Sequence, residues 1–307
     1  MKNLITVFLL IVFLSCQSIP KTTQKQESSE FELIDLTKTQ LNLMKMFKDE
    51  DRIKRDSIFT EKIYEPYLEL WNNYLGNKND FIEWLNTTSF PELNQYQNKA
   101  EEINLEDLNK YFKNTKKRMT KFTGFEPVGK WYIVFGPKWT DAGGIGNSAM
   151  VLDLANSIND TEHIKLLFPH ELNHQIYSST IPNTESIVLK RILDEGFASY
   201  VSFLFHKGET TKAQELHYTE KELKTCNENE DMILRKLEKY QNSIDKKIAN
   251  LFADRSYKIE KDLPGGIGYY IGFRIVEEYV NKNGKESWRN IYTMKPEKVL
   301  EQSGILK

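Results

Sequence analysis

Two cysteines, Cys16 and Cys226, are all that this 307-residue chain contains. That excludes a disulfide framework, a cysteine zinc finger and an iron–sulfur ligand set, so any metal has to be held by histidine and carboxylate. Charge of one sign is also missing. The 42 Lys and Arg stand against 44 Asp and Glu, a formal net charge of −2, and this balance excludes nucleic acid as the partner class because such binding relies on an excess of clustered cations. No apolar run reaches the length needed to cross a bilayer. The longest, Leu4–Leu14, is broken only by Thr6 and covers about 16 Å as a helix, roughly half of a ~30 Å hydrocarbon core. What is present is material for a large core, since 39% of the residues are hydrophobic and 12% aromatic, which excludes wholesale disorder.

The apolar run follows Lys2 and Asn3 and ends in Phe13-Leu14-Ser15-Cys16. It reads as the core of a signal peptide, so the chain is expected to be exported. The ending resembles a bacterial lipobox, which implies lipidation at Cys16 and an envelope lipoprotein anchored to a membrane. An ordinary secretory signal with an incidental cysteine is the alternative. Residues 17–30 are rich in Ser, Thr and Gln and read as a flexible tether.

The expected fold class is α+β, mainly helical, with a helical N-terminal region over 31–120 and a second domain over 121–307. From Phe31 to about Lys117, apolar residues recur at helical spacing, as in Leu33, Leu36, Leu41, Met44 and Phe47. The segment Lys130–Phe135 is β-branched and aromatic, and Ala149–Leu154 reads as a second strand beyond a glycine-rich turn, Asp141–Gly146. Helices are expected over roughly 161–178, 185–206, 211–225, 228–253 and 265–281, with short pieces near 286–303.

Within the first of these lies His170-Glu171-Leu172-Asn173-His174. Side chains four apart share a helical face, so both imidazoles can reach one ion while Glu171 faces its open side. With 5 His and 30 Glu in the chain, chance placement yields only about 0.008 such motifs. Pro169 fits poorly, because proline inside a helix removes a hydrogen bond; either the helix begins near Phe168 or it kinks there. A hydrolytic zinc site keeps three protein ligands and leaves a place for water. Glu195, set among Ile192, Phe197 and Ala198, is the candidate third ligand, with pairing to Arg191 as the alternative. Asp194 is expected to face solvent or to support a ligand.

Here the chain resembles the gluzincin group of zinc peptidases, in which HExxH is followed by a glutamate on the next helix in a Glu-Gly-hydrophobic-Ala context, matched by Glu195-Gly196-Phe197-Ala198. More narrowly it is similar to an uncharacterised family of bacterial zinc-dependent proteases whose Gly-Tyr-x-x-Gly-x-x-Ile-Val segment appears as Gly268–Val276. The resemblance implies a zincin-like domain, zinc at His170, His174 and Glu195, Glu171 as base, and a peptide or protein substrate. Ser199 stands where better-known gluzincins often carry aspartate. Tyr269 is the first choice as donor to the oxyanion, Tyr270 the second and His206 the reserve; His163 and His217 are expected at the surface or at helix ends. The strand Ala149–Leu154 is expected to offer an edge to an extended peptide, and the charged helices of about 209–260 to cover the cleft. The rival expectation is a non-catalytic anchored lipoprotein that retains the fold, with the helices of 31–117 as a docking surface.

Overall fold

The computed structural model describes residues 31–306. The lipobox with Cys16 and the tether lie outside the described residues. The described chain enters as β1 (Glu32–Asp35) and runs through α1 (Thr37–Phe47), α2 (Arg52–Phe59), α3 (Leu68–Tyr74), α4 (Lys78–Trp84), α5 (Leu93–Glu102) and α6 (Leu105–Thr123). Three strands follow, β2 (Lys130–Val134), β3 (Ala142–Gly146) and β4 (Ala149–Asp153). The remainder is helical: α7 (Thr161–Thr180), α8 (Ile187–His206), α9 (Lys212–Glu215), α10 (Glu220–Glu228), α11 (Glu230–Tyr240), α12 (Lys246–Ala253), α13 (Ile267–Asn283) and α14 (Pro296–Ser303). The body is therefore mainly helical with one small sheet. No described helix is long and apolar enough to cross a membrane.

The sheet differs from the expected pair of strands. Its order is β1-β2-β4-β3, with β1, β2 and β4 parallel and β3 antiparallel to β4. Residues Glu32–Asp35 are a strand, although Leu33 and Leu36 fit a helical spacing. Four residues are too short a window for periodicity to separate the two forms, and the pairing is decided by β2, whose Trp131–Val134 are buried and need a hydrogen-bonded neighbour on each side. The glycine-rich segment is likewise a strand, not a loop. Asn147 and Ser148 both have positive φ, at 49° and 58°, the conformation of a two-residue hairpin turn whose twist matches the flanking strands. β4 is consequently interior, and the edge offered to a partner strand belongs to β3, not to Ala149–Leu154.

α7 is continuous through Pro169. The missing N–H at 169 leaves the carbonyl of Lys165 without its helical partner, and the Tyr111 hydroxyl on α6 donates to that oxygen at 2.7 Å. The same two helices and the sheet share an aromatic cluster. Phe112 and Phe168 have ring centroids 4.0 Å apart, and Trp131 lies 4.9 Å from Phe168. Through these rings one continuous core joins the N-terminal helices to the helix carrying the histidines.

α8 and α13 cross backbone to backbone. A Cβ on Gly196 would lie 2.1 Å from the Gly272 carbonyl carbon, and one on Gly272 would lie 2.1 Å from the Ile192 oxygen. Close packing thus accounts for both glycines of α13, Gly272 against α8 and Gly268 against the Phe252 carbonyl of α12, 2.8 Å from where its Cβ would lie. We predict that Gly272→Ala forces this crossing apart and destabilises the fold by about 3 kcal/mol or more, the upper end for overpacking because backbone has to move. Gly143→Ala, whose nearest new neighbour is 3.5 Å away, should stay within about 0.5 kcal/mol of wild type in urea denaturation.

Candidate metal centre

The orientation of α7 is fixed on the faces turned away from the centre. Asp160 caps its start by accepting from the His163 amide at 2.7 Å. Gln175 accepts from the Trp131 indole at 2.7 Å and donates to the Ser148 carbonyl at 2.9 Å, tying the helix to β2 and to the hairpin turn. Asn173 is hydrogen-bonded to the Tyr292 hydroxyl. With those faces satisfied, His170, Glu171 and His174 turn into a cleft of about 720 Å³ whose lining includes Asp141 and, on β3, Gly143 and Gly144.

α8 begins where Ser186 accepts from the Leu189 amide at 3.0 Å. It returns past α7 so that Glu195 faces the two imidazoles. His170 Nε2 and His174 Nε2 are 3.1 Å apart, and Glu195 Oε2 is 3.6 Å from the first and 3.4 Å from the second. Zinc–ligand distances of about 2.0–2.2 Å in a tetrahedron give donor–donor edges of about 3.3–3.6 Å. The two edges to Glu195 match one face of a tetrahedral zinc site and the His170–His174 edge is about 0.2 Å short of it, and the donor set of two imidazoles and a carboxylate suits zinc. Among the described residues no fourth His, Cys, Asp or Glu joins the group.

The two alternatives for Glu195 are both realised, on different oxygens. Arg191 Nη2 pairs with Oε1 at 2.9 Å, which leaves Oε2 for the imidazoles. Burial opposes ionisation of this carboxyl, but the His174 charge, the closeness of both imidazoles and the Arg191 guanidinium outweigh it and hold the group well below the usual carboxylate range. Asp194 does not face solvent alone: its Oδ1 lies 2.8 Å from His174 Nδ1. A proton held on Nδ1 by that carboxylate leaves the Nε2 lone pair for a metal. Glu171 is buried in the cleft wall, and burial, more than the opposing pull of His174 and His170, raises its carboxyl above the ordinary range.

Of the oxyanion candidates, only Tyr269 lies in the cleft. Its ring stacks at 18° to His170 with centroids 6.1 Å apart, and the Arg255 guanidinium sits 4.1 Å from its centroid. Burial, and after it the Glu195 charge, pushes the phenol well above its usual value, so the hydroxyl keeps its proton and can donate. Tyr270 turns away and donates to Asn227 Oδ1 at 3.0 Å. His206 is held by Glu215 at 2.7 Å, at the far end of α8. Ser199 is buried with an unpartnered hydroxyl among the described residues, so no carboxylate supports the centre from that position.

Two histidines expected at the surface or at helix ends, His163 in the first turn of α7 and His217 just beyond α9, also line the cleft. His163 bonds Asp141 Oδ2 at 2.9 Å beside the β3 edge. His217 has its ring centroid 5.6 Å from His170, and burial, followed by the Arg255 and His170 charges, lowers it well below its usual value, leaving it neutral. The sequence pattern predicts a single helix over about 211–225 that would include it. The chain breaks there, with φ of 52° at His217, between two capping boxes, Thr211 with Gln214 and Thr219 with Glu222. The second box, Thr219-x-x-Glu222, is the signal that marks a helix restarting beyond the histidine. Arg255, held by the Leu216 and His217 carbonyls at 2.9 Å each, completes that wall, so the segment 209–260 covers one side of the cleft.

Fold and centre together define a class: a mainly helical α+β body with an HExxH helix and a glutamate from the next helix converging on one point. Residues 160–305 match the model of a lipoprotein family described as gliding motility protein GldB, a stretch that contains the whole constellation. No curated protein and no solved structure matches. The match agrees with the lipobox reading of the N-terminus, and the protein is an exported lipoprotein of the cell envelope. Asp194→Asn should weaken zinc binding about 10–100-fold in a chelator competition, while Tyr270→Phe should leave it unchanged.

Proposed function

We propose that the protein acts as a membrane-anchored component of the cell envelope, of the gliding-motility type, through binding and not through turnover. The observation that carries this reading is the family match over 160–305. On it, His170, His174 and Glu195 serve as a support that pins α7 to α8, whether or not any reaction takes place in the cleft.

A second reading is favoured by one observation of its own. Glu171, which a purely structural metal site does not need, stands buried in the cleft wall next to a three-donor set with a free side. On this reading the body is zincin-like and the protein is a zinc-dependent peptidase. Zinc held by His170, His174 and Glu195 would polarise a peptide carbonyl and make a neighbouring water a stronger nucleophile. The chain's residues would do the rest. Glu171, with its raised affinity for a proton, would take one from the water and pass it to the leaving amine. Tyr269 would donate to the developing oxyanion. The β3 edge, open beside the cleft, would hold an extended peptide by main-chain hydrogen bonds.

One substitution separates the readings. Glu171→Gln should keep bound zinc, measured by elemental analysis, on either reading. If it also restores function fully in a deletion strain, and the wild-type protein shows no chelator-sensitive cleavage of a peptide library, the binding role stands. If cleavage is seen and Glu171→Gln lowers it about 10²–10⁴-fold, the peptidase reading replaces it.

A further inference from the structure

Charge is distributed unevenly along α6, whose acidic residues, Glu106 and Asp107, are confined to its first turn. From Leu108 to Phe125 the chain carries Lys110, Lys113, Lys116, Lys117, Arg118 and Lys121 and no acidic residue, in a protein whose formal net charge is −2. The helix is amphipathic in a particular way. Leu108, Phe112, Thr115 and Met119 are buried, so its apolar face is fully used by the core. Lys110, Lys113, Lys117 and Lys121 recur at helical spacing on the outward face and are exposed. None of these four makes an ion pair among the described residues; Lys116, on the flank, pairs with Glu126 at 3.0 Å. From Lys110 to Lys121 the stripe runs about 16 Å. A folded protein commonly intersperses such charges with opposite ones, because four like charges on one face repel each other.

The second observation is where the chain enters the body. Phe31, the first described residue, has its ring 5.6 Å from the Lys116 ammonium, and Asp35 of β1 accepts from the Asn109 amide on α6 at 3.1 Å. The incoming chain thus meets the body at this helix. The lipobox cysteine, Cys16, lies fifteen residues earlier, a distance that spans at most about 50 Å. An anchored chain therefore keeps the α6 face within about 50 Å of the lipid from which it hangs.

We propose that the outward face of α6, with Lys110, Lys113, Lys117 and Lys121, is an interaction surface for anionic lipid headgroups, so that the anchored body lies on the membrane with this helix against it. Charge complementarity and the entry point of the chain argue for lipid over an acidic protein, because the anchor presents lipid to this face continuously. Each lysine brought near an anionic surface strengthens the contact about fivefold at physiological salt. The contact needs no hydrophobic insertion, since no apolar side chain of α6 is left for it, and it should be screened by salt.

The test uses the full-length lipidated protein reconstituted into vesicles of phosphatidylcholine, with or without about 30% phosphatidylglycerol. Amine acetylation is read lysine by lysine by mass spectrometry, with the exposed Lys246 and Lys247 on α12 as internal controls. The proposal expects labelling of the four α6 lysines to slow about fivefold or more on the anionic vesicles alone, with the controls unchanged. About 0.5 M NaCl should abolish the protection. In the double variant Lys110→Gln/Lys117→Gln, with its thermal midpoint unchanged, Lys113 and Lys121 should lose it. Equal labelling on both vesicles, or protection that survives salt, overturns the proposal. Protection seen in native envelopes but in neither vesicle also overturns it and assigns the face to an acidic protein.

Discussion

The carboxylate of Glu195 inside the body is the constraint on which the rest of the structure depends. A buried charge is tolerated only when it is met by opposite charge and hydrogen bonds. Arg191 meets one oxygen from the same helix, one turn away, and the two imidazoles of α7 meet the other. This requires α7 and α8 to lie side by side in a fixed register. The register is set from behind by the glycine crossing of α13, where Gly196 and Gly272 let two backbones touch. It is set from the front by Gln175 and Trp131, which hold α7 against the sheet. The centre is thus the meeting point of three helices and a strand, each with its own reason to be there.

The chemistry of the cleft follows from this packing. Asp194 fixes one imidazole tautomer, Tyr269 covers the face of the other imidazole, and His217 and Arg255 close one wall. These groups belong to different segments, and the sheet edge at β3 forms the opposite wall. Such an arrangement can bind a ligand between a metal and a strand whether or not a reaction occurs. That is why the same geometry is compatible with a binding lipoprotein of the family matched over 160–305 and with a hydrolase.

Much of this was legible in the sequence because it is local or periodic. The HExxH spacing, the buried glutamate in Glu195-Gly196-Phe197-Ala198 and the glycines of α13 each state a geometric demand within a few residues. The mainly helical α+β class followed from periodicity and from the aromatic, β-branched run at Lys130–Phe135. What escaped was non-local. The strand at Glu32–Asp35 exists because β2, about a hundred residues later, needs a neighbour. The glycine-rich β3 reads as a turn until its antiparallel partner is known. His217 reaches the cleft through a chain break that places it there without any helical period, while His163 lies in the first turn of α7, two turns before His170. Pro169 reads as a helix start or a kink until Tyr111 is seen to satisfy the carbonyl it orphans.

The most direct test of the account is zinc K-edge absorption and anomalous diffraction on the zinc-loaded protein. One ion per chain is expected, bound by two imidazole nitrogens, one carboxylate oxygen from Glu195 and one solvent oxygen at about 2.0–2.2 Å. An ion held elsewhere, no ion at stoichiometric zinc, or a fourth ligand supplied by the protein would contradict it.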